Sequence, residues 1–243
     1  MSKRVVALPT VPRKMGVWAV VVIYVAFMLI AAVLVVKYAA LVLHAAMPTL
    51  TISAPTFQRV LTVCLLSLSV VLLAIAPFPW LKKQSWRINF GVVRVPSWRD
   101  IALSAAGAAV YAIVVLVVVY FASMLPFIDM KQPQDVGSTA LYGFDRLLAF
   151  FVLVIVTPIA EEMIFRGYLF SRLQQAKMPF WLNAVVVSGL FGLAHGQWNV
   201  GIDVFCLSMV ACYLRLLSGT IWPGVIVHMA KNMLAFYATF VLL

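Results

Sequence analysis

The stretch Thr157–Arg166 reads TPIAEEMIFR and contains the only two glutamates of the chain, Glu161 and Glu162. They follow a long apolar run, and a carboxylate in hydrocarbon costs about 2.5–3.5 kcal/mol on insertion scales, so they indicate a functional site. On a helix, Glu162 and Arg166 lie four residues apart on one face and can pair. Adjacent helical residues point about 100° apart, so we expect Glu161 to face a cavity instead. The plainer alternative is that both glutamates mark the cytoplasmic end of a helix.

The composition indicates a membrane protein. Hydrophobic residues make up 65% of the 243 residues, and the mean hydropathy is +1.08, whereas soluble domains are about 45–50% apolar. A span needs about 20 apolar residues. We therefore predict an all-α, polytopic transmembrane helix bundle with about seven spans, of which the first is uncleaved and the fifth and sixth are short. The candidate spans are 16–36, 57–76, 101–124, 146–165, 182–195, 202–217 and 220–240.

The distribution of charge predicts the orientation of these spans. The net charge is +11, and the basic residues lie mainly in the N-terminal tail and in the loops after the second, fourth and sixth spans. The positive-inside rule places the N-terminus and these loops in the cytoplasm, so the acidic segment 127–145 and the C-terminus lie outside. The loop 77–100 mixes aromatic and basic residues, as an interfacial segment does. Membrane topology thus accounts for the positive charge, and no nucleic-acid partner is indicated.

Two later spans carry polar residues that could complete a site. His195 ends the fifth span in the sequence FGLAH, and His228 and Asn232 lie four apart on one face of the seventh. Taken singly, His195 is typical of an interface residue, His228 with Asn232 of a packing contact, and Lys231 of a side chain that snorkels or pairs. Together with Glu161, the imidazoles and the amide are the groups that activate a water and stabilise an oxyanion. Two histidines and a glutamate also form catalytic zinc sites, so Glu161, His195 and His228 are candidate ligands of Zn²⁺ or another divalent metal.

Three ordered motifs resemble those of a known family. EExxxR from Glu161, FxxxH ending at His195 and HxxxN from His228 are similar to the motifs of the CPBP family, the CAAX-protease and bacteriocin-processing (Abi) intramembrane proteases. The resemblance covers about residues 145–240. It divides the chain into N-terminal transmembrane helices with the cytoplasmic interfacial loop, residues 1–144, and catalytic core helices, residues 145–243.

The resemblance also implies a role for each matched position. Glu161 would activate water, Glu162 would support it, and Arg166 would hold the pair. The two histidines would bind or orient that water, with or without a metal, and Asn232 would stabilise the oxyanion. The predicted spans place His195 towards the outer side and Glu161 towards the inner side. A longer helix around Glu161, or the short fifth span, would bring them together.

The function that follows is hydrolysis of a peptide bond in a membrane-associated protein or peptide. Eukaryotic members of the family cleave prenylated CAAX tails, and bacterial members process peptides, confer bacteriocin immunity or act in protein sorting. The compact chain favours a bacterial member in the cytoplasmic membrane. One alternative is a proton-coupled transporter, since carboxylates and histidines in spans form proton relays, although inverted repeats are absent from the sequence. Another is a non-catalytic immunity or interaction protein on the same fold.

Overall fold

The computed structural model describes residues 15–47, 54–76, 78, 81, 84–130, 132 and 141–240. Within these ranges every element is a helix, which confirms the all-α class. Most of the basic N-terminal tail and parts of the loops 77–100 and 127–145 lie outside the described residues. The helices are α1 (Met15–Ala46), α2 (Ala54–Ile75), α3 (Trp86–Asn89), α4 (Trp98–Ala122), α5 (Gly143–Gln175), α6 (Phe180–Leu193), α7 (Trp198–Ser218) and α8 (Trp222–Phe240).

The long helices form a multi-pass membrane bundle. Five helices, α1, α2, α4, α5 and α7, are long and apolar enough to cross a membrane. The apolar α6 has 14 residues, and α8 has 19 residues that include the polar side chains of the HxxxN motif. Seven helices therefore correspond to the seven predicted spans. The sixth is a helix of 21 residues, longer than predicted and long enough for a full crossing, and the fifth is short as predicted.

Helix α5 is much longer than the predicted span 146–165. It runs for 33 residues to Gln175 and contains two stretches of wider π turns, Phe151–Val156 and Met163–Leu169. Arg166 suggests a helix end in the sequence, but its side chain is completely buried and the helix continues past it. The glutamates therefore lie in the middle of α5. This longer helix removes the conflict between an outer His195 and an inner Glu161.

The loop before α4 is partly buried in the bundle. Its flanks expose Trp86 and Trp98, whereas Phe90 is 1% exposed and packs on Tyr168 of α5. A Cβ atom at Gly167 of α5 would overlap the Phe90 carbonyl, so this glycine allows the loop to contact the helix backbone. The predicted interfacial position of the flanks stays a prediction, whereas Phe90 at the centre is buried in the bundle because the interior offers its ring an apolar pocket.

Helix termini and helix contacts bring the C-terminal helices together. Ser97 caps α4, donating from its backbone N and Oγ to Asp100 Oδ2 at 2.8 and 2.7 Å. Gly219 ends α7 in the left-handed region, with a φ of 72°, where glycine is favoured. The short turn to α8 makes α7 and α8 neighbours, and α4 packs against both. Helix α8 also packs along α5, so the HxxxN motif faces the glutamates.

Candidate active site

Glu162 and Arg166 form the predicted ion pair. Arg166 Nη1 lies 3.0 Å from Glu162 Oε1, and both side chains are fully buried. The guanidinium also lies over the ring of Phe191 from α6, 4.3 Å from its centroid. Among the described residues Glu162 Oε2 has no hydrogen-bond partner, and a Cβ atom at Gly224 of α8 would lie 2.9 Å from it. Glycine at this position therefore lets α8 approach the carboxylate closely.

His228 of α8 contacts both glutamates. Its Nδ1 lies 3.3 Å from Glu162 Oε1, and its Nε2 lies 3.7 Å from Glu161 Oε2. The imidazole is 3% exposed, whereas the Glu161 side chain is 17% exposed. Because Glu162 accepts hydrogen bonds, the Nδ1–H tautomer is favoured, and Nε2 is then an acceptor that faces a second acceptor on Glu161. A water molecule that donates one hydrogen to each atom satisfies both groups.

Asn232 lies one turn beyond His228 and contacts α5 as well. Its Nδ2 donates to the backbone carbonyl of Leu153 at 2.8 Å. Phe151–Val156 is a π-helical stretch, in which each carbonyl accepts a hydrogen bond from the N–H of the residue five positions later. For Leu153 that residue is Pro158, which has no N–H, so the amide of Asn232 takes its place. The second N–H of the Asn232 amide is left for another acceptor.

His195 joins the site through Phe191. Its Nδ1 lies 2.8 Å from the Phe191 carbonyl, and the two rings meet edge-on at 5.0 Å. The same Phe191 ring meets His228 edge-on at 5.9 Å. The structure thus brings together Glu161, Glu162, Arg166 and His228 directly and Asn232 at the next turn, with His195 one aromatic ring away.

The predicted metal ligands are Glu161, His195 and His228. Among the described His, Cys, Asp and Glu side chains, no three are grouped closely enough to hold an ion. Glu161 and His228 are paired, but His195 does not complete a triad with them in this arrangement. Metal assistance therefore stays a prediction.

A cavity of about 500 Å³ lies beside His195, between α6 and α7. Its walls are mainly apolar, and the glutamates do not line it. The predicted cavity in front of Glu161 is therefore not this one, although Glu161 keeps partial exposure of its own. Glycines form much of the lining, which consists of Val118, Gln132, Gly189, Gly192, Leu193, Gly196, Gln197, Trp198, Gly201, Ile202 and Phe205.

Asp203 is a carboxylate within a candidate span that was not among the predicted site residues. Asp203 of α7 lies 3.0 Å from Lys231 Nζ and accepts a hydrogen bond from Tyr111 of α4. Lys231 therefore pairs, which is one of the two predicted outcomes. An aspartate inside the sixth apolar run was a signal of the same kind as the glutamates, and the same rule would have found it.

Comparisons with known proteins match the part of the chain that carries the three motifs. Residues 143–234, which include all three motifs, match the model of the family described as Type II CAAX prenyl endopeptidase Rce1-like. An uncharacterised 24.3 kDa protein of Escherichia coli is 26% identical over 127 residues, covering 49% of this chain and 58% of that protein. YyaK, an uncharacterised protein of Bacillus subtilis (strain 168), is 32% identical over 133 residues, covering 48% of this chain and 44% of that protein. The chain thus spans about half the length of these curated relatives. No solved structure matches the chain at a significant level.

Proposed function

We propose that this membrane protein is an intramembrane endopeptidase, because residues 143–234 match the model of the family described as Type II CAAX prenyl endopeptidase Rce1-like. Its substrate is a membrane-associated protein or peptide, and the reaction is hydrolysis of one peptide bond. The observation that carries the proposal is the 3.7 Å separation between Glu161 Oε2 and His228 Nε2. Two acceptors at this distance hold one water molecule by both of its hydrogens and leave its oxygen lone pairs directed away from them.

The reaction follows from that position of the water. Glu161 takes a proton from the water while the water oxygen attacks the carbonyl carbon of the substrate. The remaining N–H of Asn232 stabilises the negative charge that develops on the carbonyl oxygen. Glu161 then passes its proton to the nitrogen of the leaving amine as the carbon–nitrogen bond breaks. The carboxylate returns to its starting state, and the products are a new carboxyl terminus and a new amino terminus.

The surrounding residues fix the reacting groups. Arg166 neutralises Glu162, and Glu162 orients the imidazole of His228 through Nδ1. This chain of contacts keeps Nε2 facing Glu161, as an outer hydrogen bond keeps a catalytic histidine in one tautomer. His195 has its Nδ1 engaged by the Phe191 carbonyl, which leaves Nε2 of its ring to orient substrate or water.

The cellular setting is part of the same proposal. The N-terminus lies in the cytoplasm and the C-terminus outside, as the basic loops predict. The curated relatives come from bacteria, which supports a location in a bacterial cytoplasmic membrane. Metal assistance is a separate proposal, because it requires a third ligand beside Glu161 and His228. Elemental analysis of purified protein and of a His228→Ala variant tests it: an equimolar metal that the variant loses would support it.

The test uses purified protein in liposomes with two internally quenched peptides. One carries a farnesylated cysteine followed by two aliphatic residues and a C-terminal residue, and the other is the same peptide without the lipid. We expect Glu161→Gln to lower kcat by about 10²–10⁴-fold, the size of a general-base contribution, with unchanged folding and insertion. Asp145→Asn, at the far end of the same helix, serves as the matched control and keeps full activity.

Two outcomes would overturn the proposal. An unchanged cleavage rate for Glu161→Gln would remove the glutamate from the reaction. Proton-coupled flux in the same liposomes, with neither peptide cleaved by the wild type, would favour the transporter alternative.

A further inference from the structure

Tyr111, Asp203 and Lys231 join three helices beside the site. Lys231 Nζ of α8 lies 3.0 Å from Asp203 Oδ2 of α7, and the Tyr111 hydroxyl of α4 donates to the other carboxylate oxygen, Oδ1. With a separate donor on each oxygen, the Asp203 carboxylate is held in one orientation. The side chains of Asp203 and Lys231 are 25% and 21% exposed, so neither is freely solvated. The reaction derived above uses none of the three.

Helix packing alone does not account for this cluster. Charged groups inside a span are costly, and apolar side chains of similar volume often replace a buried ion pair at no loss of stability. Tyr111 and Asp203 lie within the candidate spans α4 and α7. A charged contact has a defined direction that apolar packing lacks, so it can hold one helix at a fixed rotation.

The position of Lys231 on α8 defines that rotation. Lys231 follows His228 by three residues and directly precedes Asn232. His228 faces the glutamates of α5 and Asn232 faces the Leu153 carbonyl of α5, whereas Lys231 faces Asp203 of α7. Helix α8 is therefore held by polar contacts on two sides. Apolar packing also holds α8 against α4 and α7, and the ion pair with Asp203 adds a directional contact on this side of the helix. This contact can fix the rotation of α8 without using the groups that serve the reaction.

We propose that Tyr111, Asp203 and Lys231 are positioning residues that fix the rotation of α8 and so present His228 and Asn232 to Glu161. The inference rests on the proposed function for its catalytic consequence, but its geometric part concerns α8 alone. A displacement of about 1 Å at reacting groups can cost about 100-fold in rate, so a small rotation of α8 is sufficient to slow the reaction.

The kinetic test compares variants of the cluster in the liposome assay with the farnesylated peptide. We expect Asp203→Asn and Lys231→Met to lower kcat by about tenfold to 100-fold with little change in KM, because alignment and not substrate binding is lost. Lys231→Arg keeps the charge pair and retains most of the activity. Asp145→Asn is again the matched control, since it removes a carboxylate that accepts a hydrogen bond from Thr56 between α2 and α5, away from the site. A rise in KM with unchanged kcat would overturn the inference and indicate that Lys231 contacts the substrate.

A second measurement does not depend on activity. The protein has three histidines, His44, His195 and His228, so ¹⁵N labelling of the imidazoles gives three sets of signals that His44→Gln and His195→Gln variants assign. We expect Asp203→Asn to shift the His228 signals and to leave those of His44 unchanged. Unchanged His228 signals would overturn the inference. If the wild type cleaves neither peptide but Asp203→Asn still shifts the His228 signals, the proposed function is contradicted and the positioning role stands. The two failures are therefore distinguishable.

Discussion

Arg166 is the residue whose surroundings explain most about the site. Its guanidinium is completely buried, and it is held by the Glu162 carboxylate on one side and the Phe191 ring on another. Removing one partner of a buried pair leaves an uncompensated charge, which costs about 3–5 kcal/mol. The pair therefore contributes to folding as well as to the orientation of His228.

Arg166→Ala is expected to destabilise the protein by about 3–5 kcal/mol, because Glu162 is left buried without its counter-charge. The measurement is the free energy of unfolding in mixed detergent micelles. Arg99→Ala, which removes an exposed arginine bonded to the Leu217 carbonyl, is the control and should change stability by less than about 0.5 kcal/mol. A double variant, Arg166→Ala with Glu162→Ala, should lose less than Arg166→Ala alone, and a larger loss would contradict this account.

At this scale the sequence predicted some contacts and not others for a physical reason. Glu162 and Arg166 are four apart on one helix, so helical geometry alone predicted their pairing. The contacts of His228 with the glutamates and of Asn232 with Leu153 cross between helices that are far apart in sequence. Their convergence was expected from the resemblance, but no local pattern specifies which nitrogen faces which oxygen. Asp203 is recognisable in the sequence as a carboxylate in an apolar run, but its contacts with Tyr111 and Lys231 also cross between helices.

At the scale of elements, α5 departs most from the sequence expectation. Its basic residues suggested an early end, yet Arg166 and Arg172 are both buried and stack over aromatic rings, Phe191 and Tyr168. The π turns could not be predicted from the spacing of apolar residues either. Pro158 was the available signal, since a missing N–H inside a helix leaves a carbonyl that another group must satisfy. Here that group is Asn232, which ties a catalytic candidate to an irregularity of the helix that carries the glutamates.

The close contact between α5 and the loop before α4 predicts how a substitution at Gly167 changes stability. In Gly167→Ala the new methyl group would lie closer to the carbonyl oxygen of Phe90 than van der Waals contact allows. This backbone group cannot move aside unless the loop shifts. We expect it to destabilise the protein by about 1–3 kcal/mol, the usual cost of overpacking. Gly189→Ala on α6 is the matched control, because a Cβ atom there has no neighbour within 4 Å, and it should be neutral or slightly stabilising. Thermal unfolding of both variants in detergent checks this, and equal midpoints would contradict the close contact.

At the scale of the whole molecule, the N-terminal helices are part of the same interior as the motifs. Helix α4 carries no recognisable motif, but it packs against α7 and α8 and supplies Tyr111 to Asp203. Composition and charge predicted the fold class and the number of spans, because the hydropathy of a span is a sum over many residues and a single polar residue changes it little. The packing of α4 on the C-terminal helices could not be read in this way, since it depends on a few side chains from distant parts of the chain.

Orientation in the membrane is the last prediction, and it belongs to the whole chain. The basic loops place the segment before α4 in the cytoplasm and the start of α5 outside. Val95 and Tyr142 mark these two segments, and each is 78% exposed. In a background without native cysteines, which removes the exposed Cys64, Tyr142→Cys should react with a membrane-impermeant maleimide added to bacterial spheroplasts. Val95→Cys should react only in inverted vesicles. Because the two positions are equally exposed, a difference in labelling reports the side of the membrane on which each lies. The reverse labelling pattern would show that the bundle has the opposite orientation in the membrane, with Glu161 nearer to the opposite surface.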